Sequence, residues 1–358
     1  MRIGINALYL IPGGVGGTEI YLRNLLAELL KIDTRNEYVV FTNRETGRDL
    51  PNAVPLNVRA INRPARLLHE QTALPWRARV DVLLNPGFTA PIFARCSQVT
   101  VFHDLQHKRH PEFFRWYDLP AWRFFLWASA HRSTKLIAVS QETRLDLHRY
   151  YKLPAEKVHL VHNGVESRFF EIGRERGETE PMLLCVSTLH PHKNIERLIR
   201  VFVRLRAVHP QWRLVLTGMK GFQTSPILNL ISSLGLSTSI EVTGWIPRED
   251  LYQLYRRARA FVYPSTFEGF GIPVLEALAA GIPTACSAIE PLRTLSGSAA
   301  LRFQPYDEDE MFKVLNNLMG GTKAAGDGPA QAACFTWRST AEETLKVLTS
   351  AADPRAAA

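Results

Sequence analysis

One stretch, residues 260–286, constrains the fold of this chain more than any other. It begins with a short apolar run that predicts a buried strand, and a turn with Gly269 and Gly271 follows. A helical pattern then starts with Pro273 in its first turn and stops at Gly281, the usual left-handed end of a helix. Strand, glycine turn and helix place backbone N–H groups at the carboxyl edge of a sheet, where α/β domains bind anions and nucleotides.

Two carboxylates accompany this predicted anion site. Glu268 stands in the turn and Glu276 in the helix. Carboxylates only accept hydrogen bonds, so they suit the hydroxyl groups of a ribose or another sugar beside a phosphate. The alternative is an ordinary strand, loop and helix with two solvated glutamates, because glutamate is usually exposed.

The segment PSTFEGFGIPVLEALAAG, with Glu268 and Glu276, resembles the Glu-x7-Glu signature of the family-four retaining glycosyltransferases. The resemblance implies a GT-B fold, in which two α/β Rossmann-like domains with parallel sheets face an interdomain cleft. It also implies that Glu276 holds the ribose of a nucleotide diphosphate sugar and that Glu268 holds the sugar hydroxyls. The backbone at Gly269, Phe270 and Gly271 would then meet the diphosphate.

Composition limits the function classes. The chain has 358 residues, 46% of them hydrophobic and 22% charged, which suits two globular domains. A net charge of +9 favours anionic partners, but zinc-finger spacings and RNP-type aromatic motifs are absent from the sequence, which argues against nucleic acid. The first residues predict a strand and not a secretory signal, and no stretch has the ~20 apolar residues of a membrane span. Four cysteines without a Cys-x-x-Cys pair indicate free thiols in a reducing cytoplasm and no zinc site.

Glycines at the start of the chain form a second candidate phosphate site, because a strongly amphipathic helix follows them. The dinucleotide fingerprint fails, since Glu19 stands where its last glycine would be, and a P-loop sequence is also absent. The resemblance places Gly16 and Gly17 beside the donor diphosphate and the acceptor. The alternative is a tight turn that needs glycine for closure.

Strand patterns recur through the first half, and one of them ends at His103 and Asp104. The family has a histidine at this strand end that faces the donor sugar, so the resemblance makes His103 a catalytic candidate. Between two of these strands, residues 59–79 are predicted to be a basic, irregular segment.

Residues 113–127, FFRWYDLPAWRFFLW, are unusually aromatic and carry Arg115 and Arg123. Two interpretations remain open. An interfacial helix would press its aromatic side chains into lipid headgroups while the arginines meet anionic lipid. A core helix with its neighbour is the other, because large aromatic residues dominate ordinary cores.

A second alternation of strands and helices predicts a second parallel sheet. We therefore expect an N-terminal Rossmann-like domain on the acceptor side over residues 1–171 and a linker over 172–181. A nucleotide-sugar-binding domain would follow over residues 182–337. Residues 338–358 would form a helix that returns to the first domain, as in the family, and a disordered tail.

Lys193 lies at a predicted helix start after the first strand of the second domain. A lysine there would neutralise a diphosphate as it becomes a leaving group. The family usually has an arginine five residues earlier, where this chain has Thr188, and often a glutamate at the position of Thr294. The run Asp307-Glu308-Asp309 matches a metal-binding Asp-x-Asp only formally, because acidic residues also favour the first turn of a helix.

The resemblance implies a retaining glycosyltransferase, and with the composition and the site residues we expect a cytoplasmic enzyme that needs neither a cofactor nor a metal. The run around His103 resembles mannosyl-transferring relatives, which favours GDP-mannose as the donor. A glycan or a lipid-linked acceptor and an anionic membrane surface are the other expected partners, the latter placing the protein at the inner face of the membrane. An epimerase or phosphorylase of the same architecture, or a non-catalytic nucleotide-sugar-binding protein, are the alternatives.

Overall fold

The computed structural model describes residues 1–353, which form two compact units. Unit 1 comprises Met1–Gly164 together with Trp337–Asp353, and unit 2 comprises Val165–Thr336. Each unit consists of a parallel sheet with helices, so the predicted α/β class is confirmed.

Within the described residues, the sheet of unit 1 has seven strands in the order β3-β2-β1-β4-β5-β6-β7, and every recorded pairing is parallel. The strands are β1 (Arg2–Asn6), β2 (Glu37–Thr42), β3 (Ala53–Pro55), β4 (Val82–Asn85), β5 (Ser97–Phe102), β6 (Lys135–Ala138) and β7 (Val158–Leu160). The helices are α1 (Gly17–Ile32), α2 (Arg63–Arg77), α3 (Gln106–Arg109), α4 (Leu119–Arg132) and α5 (Gln141–Tyr151). The central strands are nearly continuous apolar runs, because a parallel sheet is buried on both faces.

Helix α2 contradicts the prediction of an irregular segment at residues 59–79. The Asn62 side chain accepts a hydrogen bond from the Ala65 N–H and caps the helix. The buried face of α2 carries Arg66 and Glu70, which are 7% and 0% exposed. Charged residues on the inner face conceal the apolar periodicity from which a helix is normally recognised.

Unit 2 has a six-stranded parallel sheet in the order β10-β9-β8-β11-β12-β13. Its strands are β8 (Glu180–Val186), β9 (Arg213–Thr217), β10 (Ile240–Gly244), β11 (Ala258–Tyr263), β12 (Thr284–Ser287) and β13 (Leu301–Phe303). Its helices are α6 (Ser167–Glu175), α7 (Ile195–Val208), α8 (Thr224–Ser233), α9 (Arg248–Arg257), α10 (Ile272–Ala279), α11 (Leu292–Ser296), α12 (Glu308–Met319) and α13 (Gly328–Ala332). The sequence pattern predicts a strand at residues 213–217 and helices at residues 195–208 and 248–257, and these are the bounds of β9, α7 and α9.

The predicted linker, residues 172–181, overlaps the end of α6 and the start of β8. Phe169 and Ile172 are buried, while most of the charged residues of this stretch stay at least partly exposed. The composition that indicated a linker is therefore in part the outer face of a short amphipathic helix.

The last helix of the described chain, α14 (Trp337–Ala352), packs against α1 within unit 1. Its inner face buries Trp337, Ala341 and Leu348. The part of the predicted disordered tail at residues 354–358 lies outside the described residues.

Candidate functional site

The turn between β11 and α10 has the predicted strand, glycine turn and helix architecture. Gly271 precedes α10 with φ +112°, and a Cβ atom at this position would lie 2.4 Å from a methyl carbon of Leu292. The positive backbone angle favours glycine, and the end of the Leu292 side chain fills the space beside it. Pro273 stands in the first turn of α10, and Gly281, at φ +62°, follows its last turn.

Lys193 and Glu268 form an ion pair beside this turn. The Lys193 Nζ lies 2.6 Å from Glu268 Oε1 and 3.1 Å from the Tyr263 hydroxyl oxygen. The two charged side chains are only 13% and 8% exposed. Burial disfavours the ammonium, but the attraction of Glu268 and Tyr263 outweighs that cost and raises the pKa of Lys193 above its ordinary value.

Strand pairing and one asparagine bring Lys193 to this place. Strands β8 and β11 are neighbours in the sheet, so the segments that follow them emerge at the same edge. The Thr266 N–H donates to the carbonyl of His192, and the Asn194 amide donates to the carbonyls of Pro264 and Pro305. Sequence reasoning missed Asn194, although a left-handed residue directly after the lysine is a position where asparagine is favoured.

Thr188 stands where the family usually has an arginine, and it lies in the loop between β8 and α7 that also carries Lys193. A Cβ atom at Gly218 would come within 2.3 Å of the carbonyl oxygen of Ser187, so the loop after β9 packs directly against the backbone here. Further along this loop, the imidazole rings of His190 and His192 stack with their centroids 5.8 Å apart. Burial and the nearby Lys193 lower the pKa of His190.

Glu276 lies on α10 and is 2% exposed. Its Oε1 accepts a hydrogen bond of 2.6 Å from Arg248 Nη2, and its Oε2 accepts one of 2.7 Å from the Tyr255 hydroxyl. The same Arg248 nitrogen lies 2.7 Å from Glu166 Oε1. Sequence reasoning missed Arg248 and Tyr255. Their spacing on α9, seven residues apart, places them on one helix face and is the signal that could have found them.

His103 follows the last residue of β5 in unit 1. Its Nε2 lies 2.8 Å from the Pro86 carbonyl oxygen and therefore carries the proton, because a carbonyl can only accept. The rings of Tyr21 and Phe88 contact the imidazole edge to face, with centroids at 4.9 Å and 5.1 Å. Burial lowers the pKa of His103 to about 4, so the ring is neutral at pH 7.

The glycine loop before α1 is held by the residue that breaks the dinucleotide fingerprint. The Glu19 carboxylate accepts from the Gly13 N–H at 2.8 Å and from Arg23 Nε at 2.8 Å. Gly16 has φ +61°, so a tight turn explains it. A Cβ atom at Gly17 would meet none of the described atoms within 4 Å, so neither packing nor its backbone angle requires glycine there.

The Asp307 carboxylate accepts from the Glu310 N–H at 2.9 Å and caps α12, which confirms the capping interpretation of the Asp-Glu-Asp run. Asp309 pairs instead with Arg204 at 2.8 Å. In residues 1–353 the structure brings together no group of three or more His, Cys, Asp or Glu side chains that suits a metal ion.

Most of the aromatic segment at residues 113–127 faces outward. Trp116 is 83% exposed, whereas Trp122 packs against the apolar core of unit 1. The core interpretation therefore holds for only part of the segment.

Contacts link α4 to α2 through the loop after β4. The Gln71 amide donates to the Ala90 carbonyl, Arg132 Nε donates to the Ile92 carbonyl, and the Arg95 guanidinium lies 3.7 Å from the ring centre of Trp76. We call the exposed apolar residues of these segments and of the turn before α4 the aromatic face: Leu68, Trp76, Phe93, Trp116, Phe124 and Trp127. Within residues 1–353, no helix is both long and apolar enough to cross a bilayer.

Comparison with known proteins identifies the family. Two family models match adjoining parts of the chain: Glycosyltransferase Family 4 over residues 15–169 and Glycosyl transferases group 1 over residues 168–325. O-antigen chain mannosyltransferase B of Escherichia coli is 30% identical over 298 residues, which cover 78% of this chain and 77% of that protein. The serotype-specific mannosyltransferase WbdA of Escherichia coli is 29% identical over 70% of this chain, which spans only 33% of that longer protein.

The fold agrees with solved structures. The crystal structure of HepE from Anabaena in complex with UDP-glucose superposes with a TM-score of 0.76 at 20% identity, covering 98% of this chain and 100% of that one. Neighbours of this kind confirm the predicted GT-B fold. The chain therefore belongs to the family-four group of glycosyltransferases and is a mannosyltransferase-like glycosyltransferase enzyme.

Proposed function

We propose that this enzyme transfers mannose from GDP-mannose to a hydroxyl group of a glycan or a lipid-linked acceptor, with retention of anomeric configuration. The names of the relatives support mannose, since both Escherichia coli proteins are mannosyltransferases. The observation that carries the proposal is the Lys193–Glu268 contact beside the N-terminus of α10, which joins a cation and a hydroxyl acceptor at one sheet edge.

Each candidate site residue of unit 2 then has a chemical role. Lys193 and the N–H groups from Gly269 to Gly271 would stabilise the departing diphosphate, because positive charge is most effective where negative charge accumulates in the transition state. Glu268 would accept hydrogen bonds from the sugar hydroxyls and Glu276 from the ribose. The donor phosphate would share Lys193 with Glu268, whose remaining lone pairs stay available to the sugar.

Retention would follow from attack on the same face of the sugar as the leaving phosphate. This proposal needs no enzyme nucleophile. The roles of His103, Gly16 and Gly17 stay predictions that depend on the resemblance alone.

We also propose that transfer needs no divalent metal, since Lys193 and a helix N-terminus supply positive charge. Asp307, the first residue of the Asp-x-Asp run, is engaged as a helix cap.

The aromatic face supports an anionic membrane surface as a partner. The parts of the sequence that carry it are rich in arginine, and aromatic rings with arginines suit the headgroup region of an anionic bilayer. The basic residues of these segments are Arg63, Arg77, Arg79, Arg95, Arg115, Arg123 and Arg132. We therefore place the enzyme in the cytoplasm, peripherally bound at the inner face of the membrane.

Two substitutions test the proposed roles in unit 2. Losing a hydrogen bond to a charged group costs ~1.5 to 3 kcal/mol, or roughly tenfold or more in affinity. Glu276→Gln should therefore weaken binding of both GDP and GDP-mannose. Glu268→Gln should lower the turnover of GDP-mannose and spare GDP. Isothermal titration with GDP and initial rates with GDP-mannose in excess EDTA measure these effects.

Three results would contradict the proposal. Equal loss of GDP affinity in both variants would refute the division of roles between the glutamates. Complete loss of transfer in EDTA, restored by manganese, would require a metal. Product formed without an acceptor, or only with inorganic phosphate, would indicate an epimerase or a phosphorylase.

A further inference from the structure

One face of α9 carries three side chains that meet two carboxylates in unit 2. Arg248 contacts Glu166 and Glu276 through the same nitrogen, and Tyr255 donates to the second oxygen of Glu276. Tyr252 donates to the other oxygen of Glu166. The two tyrosines thus serve different carboxylates although they stand one helical turn apart.

We infer that Arg248 and Tyr255 are positioning residues that fix the Glu276 carboxylate for the ribose hydroxyls of the nucleotide. The inference depends on the proposed function, in which Glu276 holds the ribose. A free glutamate rotates broadly about its last side-chain torsion. Here one donor holds each oxygen, at 2.6 Å and 2.7 Å, so the carboxylate plane is set before any ligand arrives.

The remaining hydrogen-bonding capacity of Glu276 suits a diol. A carboxylate has about four acceptor sites, and Arg248 and Tyr255 take one on each oxygen. One site on each oxygen stays available, which matches the two neighbouring hydroxyl groups of a ribose. The side chain of Glu276 is 2% exposed, so the orientation of its carboxylate decides whether those sites are presented to a ligand.

Arg248 is held independently of Glu276. Glu166 lies 2.7 Å away, and the guanidinium sits over the rings of Phe169 and Tyr252 at 5.1 Å and 5.3 Å. Burial disfavours its charge, but Glu276 and Glu166 outweigh that and raise the pKa of Arg248. The cation therefore stays in place when Glu276 accepts further hydrogen bonds from a ligand.

The test compares Tyr255→Phe with the matched control Tyr252→Phe, and Arg248→Gln with Arg248→Lys. Each variant is titrated with GDP and 2′-deoxy-GDP, and with UDP and 2′-deoxy-UDP. For each pair, the dissociation constant of the 2′-deoxy nucleotide divided by that of the ribonucleotide measures the contribution of the ribose 2′-hydroxyl. In the wild type this ratio should be roughly ten or more. We expect Tyr255→Phe and Arg248→Gln to lower this ratio at least threefold. Tyr252→Phe should keep the ratio, and Arg248→Lys should restore part of it.

A split in the kinetics separates positioning from general damage. Since the ribose is bound equally in the ground state and the transition state, Tyr255→Phe should raise KM for the sugar nucleotide and leave kcat nearly unchanged. A merely structural role would lower affinity for the ribo and deoxy nucleotides alike and keep their ratio.

Glu276→Gln distinguishes failure of this inference from failure of the proposed function. If Glu276→Gln abolishes the ratio while Tyr255→Phe and Arg248→Gln retain it, the positioning role is wrong and the ribose role of Glu276 stands. If Glu276→Gln itself retains the ratio, the ribose role is wrong and the inference falls with it. Should Tyr255→Phe fail to fold, the Arg248→Gln and Arg248→Lys pair decides.

Discussion

The Lys193 ammonium stays charged although it is almost buried, because the Glu268 carboxylate lies in contact with it. At 13% and 8% exposure, neither group is well solvated, so each depends on the other to offset the cost of burial. In the proposed function the same lysine also meets the donor phosphate. A substitution at either residue should therefore affect transfer as well as the stability of unit 2.

A double-mutant cycle separates these contributions. Lys193→Met and Glu268→Gln each leave one partner of the buried pair uncompensated and should each cost unit 2 about 2 to 4 kcal/mol. The double variant should cost less than the sum by more than ~1 kcal/mol, since neither charge then remains. Hydrogen exchange of β8 and β11 under increasing urea gives these free energies.

The pair Arg204 and Asp309, with side chains 44% and 87% exposed, is the control. Exposed pairs contribute ~0.2 to 1 kcal/mol, so its cycle should show weak coupling. If the Lys193 and Glu268 substitutions are instead additive, the contact does not hold the lysine in place in solution.

Helices and strands were predicted best where burial of an apolar face produces both the sequence pattern and the element. Strand β9 and helix α7 have apolar inner faces, and their predicted limits agree with the structure. Helix α2 was missed because Arg66 and Glu70 occupy its inner face. The motif singled out Glu268 and Glu276 as site candidates. The spacing of Arg248 and Tyr255 places both on one face of α9, but it does not tell which carboxylate they meet, because Glu276 lies on another helix.

The aromatic face, carried by α2, the loop between β4 and β5, the turn before α4 and α4 itself, should bind anionic vesicles in a salt-sensitive manner. Burying one phenylalanine or tryptophan side chain contributes ~1.5 to 3 kcal/mol. Phe93→Ser and Trp116→Ala should each weaken binding to phosphatidylglycerol vesicles by roughly tenfold. Vesicle co-sedimentation at low and high salt measures the effect.

Trp245→Ala, which removes a tryptophan that is 56% exposed in unit 2, should leave vesicle binding unchanged. Trp122 is unsuitable as a probe because it packs on the core of unit 1. Vesicle binding that survives both aromatic-face substitutions, or that ignores salt, would contradict a docking role for this face.

At the scale of the whole molecule, alternation of strands and helices predicted two parallel α/β halves, and the structure has them. The two units differ in their buried titratable groups. In unit 1, burial lowers the pKa of both His103 and His107 to about 4. Burial also raises the pKa of Glu70 and Asp146 in the same unit, which acts on stability in the opposite sense.

The stability of unit 1 should depend on pH through the buried His103. His103 has a pKa of about 4 in the folded state and 6.5 as its ordinary value, so between these values the unfolded chain binds more protons. Its contribution to stability is therefore fully present above pH 6.5 and is lost as the pH falls toward 4. Because Glu70 and Asp146 oppose this trend, the comparison is made against His103→Gln. When the pH falls from 7.5 to 4.5, the free energy of unfolding of the wild type should decrease by on the order of 1 to 3 kcal/mol more than that of the variant. Urea-dependent hydrogen exchange of β1, β4 and β5 at both pH values measures these free energies. If wild type and variant differ by the same amount at pH 7.5 and at pH 4.5, burial does not hold His103 neutral.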